Sequence, residues 1–423
     1  MNVVETRHTD KTRKIHRFET GVCEGPVGVH NHSLGNVRRG LIERVFNVEV
    51  NGELKPTPKP QPLAVVKHLS LFRRTFVSSF GSSNPITPQN FLGFYSGSKL
   101  RMYAEAVESL KVEPLCERDS WLTTFVKAEK VCLWKKPDPA PRVIQPRSPR
   151  YNVELGCFLR HIEHRCFDHI HTLFTKDFPQ DYQGTTVFKG LDADRAGQTM
   201  RNIWAEFDDP IAIGMDASRF DQHVSKNILE WEHSIYHGIY AGCNELSVLK
   251  QLLRWQLNNK GIARCPSGII KYTVEGCRMS GDINTSLGNC IIMCGIVWSM
   301  MHELNIIKYR LANNGDDCVL FVERKNVVTL LANIPSYFAK LGFTMTVEKP
   351  VDCLEQVEFC QTNPINVGGA YRMVRTLTSL TKDSYSLKQL QHPRIARDWL
   401  SAVGLGGVSL NSGVPVLQAH YLR

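Results

Sequence analysis

The chain has 423 residues, 42% of them apolar and 22% charged, which is enough for a large buried core and excludes a disordered or low-complexity protein. Lys and Arg outnumber Asp and Glu by 51 to 41, and the formal charge of +10 favours a polyanionic partner through counterion release. The 13 cysteines are odd in number and scattered, which excludes a disulfide scaffold and fits a reducing compartment; Cys290 and Cys294 lack the second ligand pair that a structural metal site needs.

Residues 1–60, rich in Gly, His, Arg and Pro and ending in Lys55-Pro56-Thr57-Pro58-Lys59-Pro60, are expected to form an arm or linker poor in regular structure. No secretory leader is expected, because His8, Lys11, Arg13, Lys14 and Arg17 interrupt any apolar run. From Ile86 to Glu129 the pattern is mainly helical, with Phe91, Phe94, Leu100, Met102, Tyr103, Val107 and Leu110 as candidate core contacts. Basic residues and prolines alternate with short β-branched pieces from Phe125 to Tyr151, which predicts short strands in a basic surface loop. Val153 to Ile170 reads as one helix burying Leu155, Phe158, Leu159, Ile162, Cys166 and Phe167.

Pro210-Ile211-Ala212-Ile213-Gly214-Met215 predicts an apolar strand that delivers Asp216 at its end, followed by a helix carrying Val224, Ile228, Trp231, Ile235 and Ile239. Arg278-Met279-Ser280-Gly281-Asp282 is a loop opening another helix, which places Asn289 one turn beyond Thr285. Its apolar stretch, Cys290 to Met301, is shorter than the roughly 20 residues a membrane span needs and predicts a buried core helix. Tyr309-Arg310-Leu311-Ala312 and Cys318-Val319-Leu320-Phe321-Val322 flank a hairpin expected to turn on Asn314-Gly315, with Asp316 and Asp317 at its tip. One acid at a strand end and two on a hairpin meet the requirement of a two-metal site, in which carboxylates converge from separate elements. Magnesium suits such a set, since it takes carboxylate and phosphate oxygens and keeps waters.

Three segments then carry a resemblance. Asp216-Ala217-Ser218-Arg219-Phe220-Asp221, Ser280-Gly281-Asp282-Ile283-Asn284-Thr285 with Asn289, and Gly315-Asp316-Asp317 resemble, in order, the first three palm motifs of viral RNA-dependent RNA polymerases. Pro141 to Asn152 is similar to the basic fingers motif of the tombusvirus family and related plant positive-strand RNA viruses, and the similarity spans roughly Lys55 to Lys388. The resemblance implies an α/β right-hand fold: fingers over 61–205 and 241–274, a palm over 206–240 and 275–365, and a thumb over 366–423. It implies template-directed addition of ribonucleotides to an RNA 3'-end, with Mg²⁺, or Mn²⁺, as cofactor.

Residue by residue, the resemblance makes Asp216, Asp316 and Asp317 metal-binding and catalytic, and makes Asp221, Ser280, Thr285 and Asn289 readers of the ribose. Arg142 becomes a triphosphate contact, and Lys349, in a stretch similar to the next palm motif, a proton donor to the leaving pyrophosphate. Lys127, Lys130, Lys135, Lys136, Arg147 and Arg150 are candidates for RNA or phosphate binding. Glu358-Phe359-Cys360-Gln361 resembles the final palm motif without its basic residue. Trp134, Tyr151 and Trp255 offer faces for base stacking, although isolated aromatics are more often core. The implied partners are template and product RNA, ribonucleoside triphosphates and a membrane-anchored viral replication protein, at membrane-associated replication complexes in the host cytoplasm. A reverse transcriptase and an RNA-binding accessory protein that has lost catalysis are the rival readings.

Overall fold

The computed structural model describes residues 1–18, 25–176 and 184–422, so six residues of the expected N-terminal arm and a short stretch of the expected fingers lie outside the described residues. A four-stranded sheet of mutually antiparallel strands holds the centre, in the order Tyr309–Asn313, Asp317–Glu323, Pro210–Ala217, Met345–Val347. The strand over Pro210–Ala217 is apolar at successive positions because both of its faces are covered. Ile211, Ile213 and Met215 point into the main core with the helices Ala64–Phe80, Lys226–Ile239 and Thr285–Glu303. Ala212 points the other way and packs with Phe321 against Met200 and Ile203 of the helix Ala193–Ala205. Side chains alternate along a strand, so the face that buries Ala212 also carries Gly214 and then Asp216.

The Thr285–Glu303 helix is apolar all round and buried along its length, as expected for a core helix. Among the described residues no helix is long and apolar enough to cross a membrane. Cys290 and Cys294 are free, buried thiols.

A five-stranded sheet stands beside this body, in the order Asn2–Glu5, Gly268–Glu275, Asn258–Cys265, Leu122–Val126, Val143–Ile144. It corrects the expectation of an unstructured arm. Asn2–Glu5 is an edge strand of this sheet, and Leu34–Leu41 is a helix capped by Ser33, whose side chain accepts from the Asn36 amide. Leu34, Val37, Leu41 and Val45 share a core with Leu122, Val143 and Ile270, a stripe at helical spacing that the surrounding Gly, His and Arg obscured. His16–Arg17 pairs with Tyr385–Ser386, so early residues also tie down the C-terminal region.

Two helical expectations change in detail. Pro149–Leu159 and Glu163–Thr175 are separate helices, although all six residues expected in the core are buried in one cluster. Pro88–Leu92 and Gly97–Val112 are helical and bury Phe91, Tyr103 and Val107, but Phe94, Leu100 and Met102 are exposed. The segment then becomes the strand Leu122–Val126, whose alternate residues are buried. The C-terminal region runs from the hairpin Thr362–Val367 with Ala370–Arg375 through the short helix Thr378–Asp383 and the strand Tyr385–Ser386 to the helices Pro393–Asn411 and Pro415–Leu422.

Candidate active site

Asp317 pairs directly with Asp216 across two antiparallel strands, and Thr346 pairs with Asp216 from its other side. Directly opposed residues point to the same face, so the two carboxylates stand together on one edge of the sheet. The turn before Asp317 closes with the Asn314 amide donating to the Asp317 carbonyl at 2.9 Å, which leaves Gly315 and Asp316 as the tip. This corrects the expected Asn-Gly centre by one residue. Gly315 alone in the turn has positive φ, +94°, a conformation favoured for glycine. The fully buried Asn313 side chain clamps the tip, donating to the Gly315 carbonyl at 2.7 Å and accepting from the Gly315 amide at 3.1 Å.

A second hairpin braces this one. Cys360 and Gln361 have φ of +54° and +59°, and Phe359 and Thr362 exchange both backbone hydrogen bonds around them. The Cys360 amide donates to Asp317 Oδ2 at 2.9 Å, and Asn314 Nδ2 donates to Cys360 Sγ at 2.9 Å. Desolvation, with Asp316 and Asp216 nearby, pushes the Asp317 carboxyl above its ordinary range despite the Cys360 amide. Crowded acids of this kind fit a divalent ion, whose charge would relieve the repulsion. Among the described residues no three His, Cys, Asp or Glu side chains close into a metal cage. Magnesium does not require one, because it binds through one or two carboxylates, waters and substrate phosphates.

Asp221 lies in the short helix Phe220–His223, entered through Arg219 in a left-handed conformation with φ of +49°. Asn289 Nδ2 donates to Asp221 Oδ1 at 2.9 Å. Desolvation, aided by Asp316, pushes the Asp221 carboxyl up to about 6 against the lowering effect of Asn289 and Arg278. Ser280 donates to the Val143 carbonyl at 3.2 Å and Thr285 to the Met279 and Asp282 carbonyls at 2.9 Å, so both hydroxyls hold the loop in shape.

A cavity of about 1200 Å³ is lined by Asp216, Asp221 and Asp316 and by Arg142, Lys127, Lys135 and Lys136. Arg142 is half exposed, with its guanidinium 3.5 Å from Glu129. Three basic candidates belong elsewhere. Arg147 is buried and bonds to Asp282, Asn259 and the Ser120 carbonyl. Arg150 is held by Asp119, Ser109 and the Glu113 and Pro114 carbonyls. Lys130 donates to the Lys382 and Tyr385 carbonyls and links the basic loop to the C-terminal region. Their donors face protein acceptors, and none of the three is among the residues that line the cavity. Lys349 is exposed, and none of the described contacts joins it to the aspartates. Tyr151 is buried, with its hydroxyl on the Leu252 carbonyl, and Trp255 packs against the main core.

Several residues of the site were not anticipated. Arg44 lines the cavity from a π-helical turn, Ile42–Phe46, a distortion that often accompanies functional sites. Its guanidinium pKa is pushed down to about 10 by desolvation and by Arg142 and Arg219. Nothing local marks it, because the composition of residues 1–60 predicts an arm or linker. The Lys189 ammonium lies 3.9 Å from the position a Cβ on Gly315 would occupy, and the Glu348 carboxylate lies against Gly214 on the face that carries Asp216.

A family described as Viral RNA dependent RNA polymerase matches the chain over residues 1–423. A protein of tobacco necrosis virus (strain D) is 52% identical over 413 residues, covering 97% of this chain and 56% of its own length. A protein of cucumber necrosis virus is 50% identical over 396 residues, covering 93% of this chain and 47% of its own. A protein of turnip crinkle virus is 45% identical over 424 residues, covering 100% of this chain and 52% of its own. All three are named RNA-directed RNA polymerase. The chain spans about half the length of these relatives. With the match running from end to end, this chain belongs to the viral RNA-dependent RNA polymerase family.

Proposed function

We propose that the chain is the catalytic part of an RNA-directed RNA polymerase of a plant positive-strand RNA virus, which replicates the genome by adding ribonucleotides to an RNA 3'-end. The observation that carries this reading is the Asn289–Asp221 bond of 2.9 Å beside the opposed Asp216 and Asp317, an arrangement suited to a ribose 2'-hydroxyl next to a phosphoryl-transfer site. In a right-hand arrangement, 206–240 and 275–365 serve as palm, 61–205 and 241–274 as fingers, and 366–423 as thumb. The first sixty residues, read from sequence as an arm, add to the fingers because their strand and helix share that sheet and core.

Asp216 and Asp316 would hold Mg²⁺, or Mn²⁺, with Asp317 assisting, and the bound ions would activate the 3'-hydroxyl and stabilise the leaving pyrophosphate. Arg142 and Arg44 present planar guanidinium forks suited to the triphosphate, and Lys127, Lys135 and Lys136 add point charges on the same cavity. Asp221, as a carboxylate, accepts from the 2'-hydroxyl, which deoxyribonucleotides lack. Lys349 is retained as the proton donor to pyrophosphate; an exposed ammonium of this kind must swing inward with bound substrate to act.

A membrane-anchored viral replication protein is proposed as partner and host cytoplasmic membranes as the place of action, supported by the tombusvirus-like motifs. Flotation with liposomes should need that partner, and equal flotation of this chain without it defeats the assignment. The polymerase reading is tested on a defined unprimed RNA with Mg²⁺ and all four NTPs. The Asp316→Ala protein should bind RNA yet synthesise none, and undiminished synthesis would overturn the reading.

A further inference from the structure

Behind the ribose-reading pair lies a buried polar network, which reaches the cavity through Arg278. Arg278 and Glu232 are both completely buried and form an ion pair. Arg278 Nε also donates to Asn289 Oδ1 at 3.2 Å. Glu232 Oε1 accepts from Tyr236 at 2.7 Å and from Asn284 Nδ2 at 3.2 Å, and Gln256 Nε2 bonds Asn284 Oδ1 at 2.9 Å. Gly288 is closely boxed: a Cβ there would collide with both Arg278 Nη2 and Glu232 Oε1. Arg278 Nη1 has no hydrogen-bond partner among the described residues, and Arg278 belongs to the lining of the substrate cavity.

An asparagine amide presents either its oxygen or its NH₂ in one direction, and the two ends are close to equal in shape. Only the neighbours decide which end faces which group. A guanidinium has donors and no acceptor, so the end of Asn289 that faces Arg278 has to be the oxygen. Its NH₂ is thereby turned to Asp221 Oδ1, at 2.9 Å. One Asp221 oxygen is occupied by that bond, and the second is left to accept from a hydroxyl. Turned round, Asn289 would set an oxygen against a carboxylate and drive Asp221 from its place.

We infer that Arg278, held by Glu232, is a positioning residue that fixes the Asn289 amide so that Asp221 can distinguish ribo- from deoxyribonucleotides. This rests on the polymerase reading and deepens it. Arg278 does not touch the reacting atoms; it acts through Asn289. The signature of such a role is a change in sugar discrimination, which damage to folding alone would not produce.

The experiment measures kcat/KM for ATP and for 2'-deoxy-ATP in single-nucleotide extension by the full chain. Removing one member of a buried ion pair leaves an uncompensated charge, so the main variant changes both, Arg278→Gln with Glu232→Gln. A glutamine at 278 offers either an oxygen or an NH₂ to Asn289 and no longer dictates its orientation. The double variant should retain RNA binding and ATP incorporation while its ribo-to-deoxy preference falls at least tenfold, mainly through KM for ATP. Arg278→Lys keeps a group that can only donate, and it should hold the preference within threefold of the unaltered chain. A folded double variant with unchanged preference, or an Arg278→Lys protein that extends RNA with its preference lost, overturns the role of Arg278. An unaltered chain that elongates RNA with no preference for ATP over 2'-deoxy-ATP instead overturns the ribose reading on which the inference stands.

Discussion

The backbone amide of Cys360 donates to Asp317 Oδ2 at 2.9 Å, so a hairpin tip reached 43 residues later in the chain fixes one acid of the Gly315–Asp316 turn. Only the main chain of Cys360 makes this bond, and it does so from a left-handed conformation, φ +54°. Cys360→Gly keeps the amide and relaxes the backbone, and it should leave RNA synthesis within about threefold, since it removes only the thiol's contacts to Asn314 and Asp317. Cys360→Pro removes the donor and forbids positive φ. Loss of one hydrogen bond to a charged group, roughly 1.5–3 kcal/mol, sets the minimum expected fall in kcat at about tenfold. Steady-state extension assays on both proteins decide the point, and equal activity of the proline variant sinks it.

Asp221, proposed to read the ribose, carries a stability cost in the fold. Its carboxyl has an ordinary pKa of 3.8 and is pushed up to about 6 in the fold, chiefly by desolvation. Below about pH 4 it is protonated whether folded or not and costs nothing. Between these values the folded state holds the extra proton, so stability falls as pH rises, and above 6 the full cost is present, of the order of 3 kcal/mol. Asp221→Asn should therefore melt at a higher temperature than the unaltered chain at pH 7.5 in metal-free buffer, with the gap closing toward pH 4. It should also lose preference for ribonucleotides. Thermal melts across that range check the sign, and a variant less stable at pH 7.5 refutes it.

The Glu348 carboxylate lies over Gly214, close enough that a Cβ there would displace it. Asp216 and Asp317 are near enough to help push the Glu348 carboxyl upward, after desolvation and Glu358. If Asp216 and Asp317 serve the metal site as proposed, extra negative charge beside them should strengthen the hold on divalent ions without touching the reaction. Glu348→Gln is expected to raise the Mg²⁺ concentration for half-maximal synthesis about threefold while kcat at saturating Mg²⁺ stays within twofold. Gly214→Ala should do the same by moving the carboxylate away. Because both act through one group, the double variant should resemble either single one. A Mg²⁺ titration of extension rate measures all three, and additive effects would exclude the shared cause.

The sequence revealed the carboxylates better than their surroundings. Asp216, Asp221, Asn289, Asp316 and Asp317 lie on two strands, two helices and a tight turn whose local patterns are strong, and the structure places Asp317 opposite Asp216 and Asn289 against Asp221. The basic residues were harder to sort, because a Lys or Arg in a loop has the same local signature whether it faces phosphate or a buried carboxylate. Arg142 and Arg147 are five positions apart, yet one lines the cavity and the other is enclosed with Asp282, a residue far along the chain. Arg44 and Glu348 were illegible for a related reason: the sheet register and the packing of the first sixty residues put them at the site, and neither is encoded locally.

That contrast between two arginines gives a prediction with opposite outcomes. Arg142 is 55% exposed and only 3.5 Å from Glu129, so its pair contributes little to stability. Arg142→Ala should leave the melting temperature nearly unchanged, since exposed substitutions usually stay within about 0.5 kcal/mol, while KM for NTP rises about tenfold. Arg147 and Asp282 are 1% and 2% exposed and 2.5 Å apart. Arg147→Ala strands the Asp282 charge in the interior, a loss on the order of 3–5 kcal/mol, enough to unfold much of a marginally stable enzyme at 37 °C. Activity recovered per folded molecule should then keep its normal KM. Changing both partners, Arg147→Met with Asp282→Leu, removes the stranded charge and should restore much of the melting temperature. Thermal melts and NTP kinetics on the three proteins settle the assignment. An Arg147→Ala protein of normal stability with weakened NTP binding would return that residue to the substrate cavity.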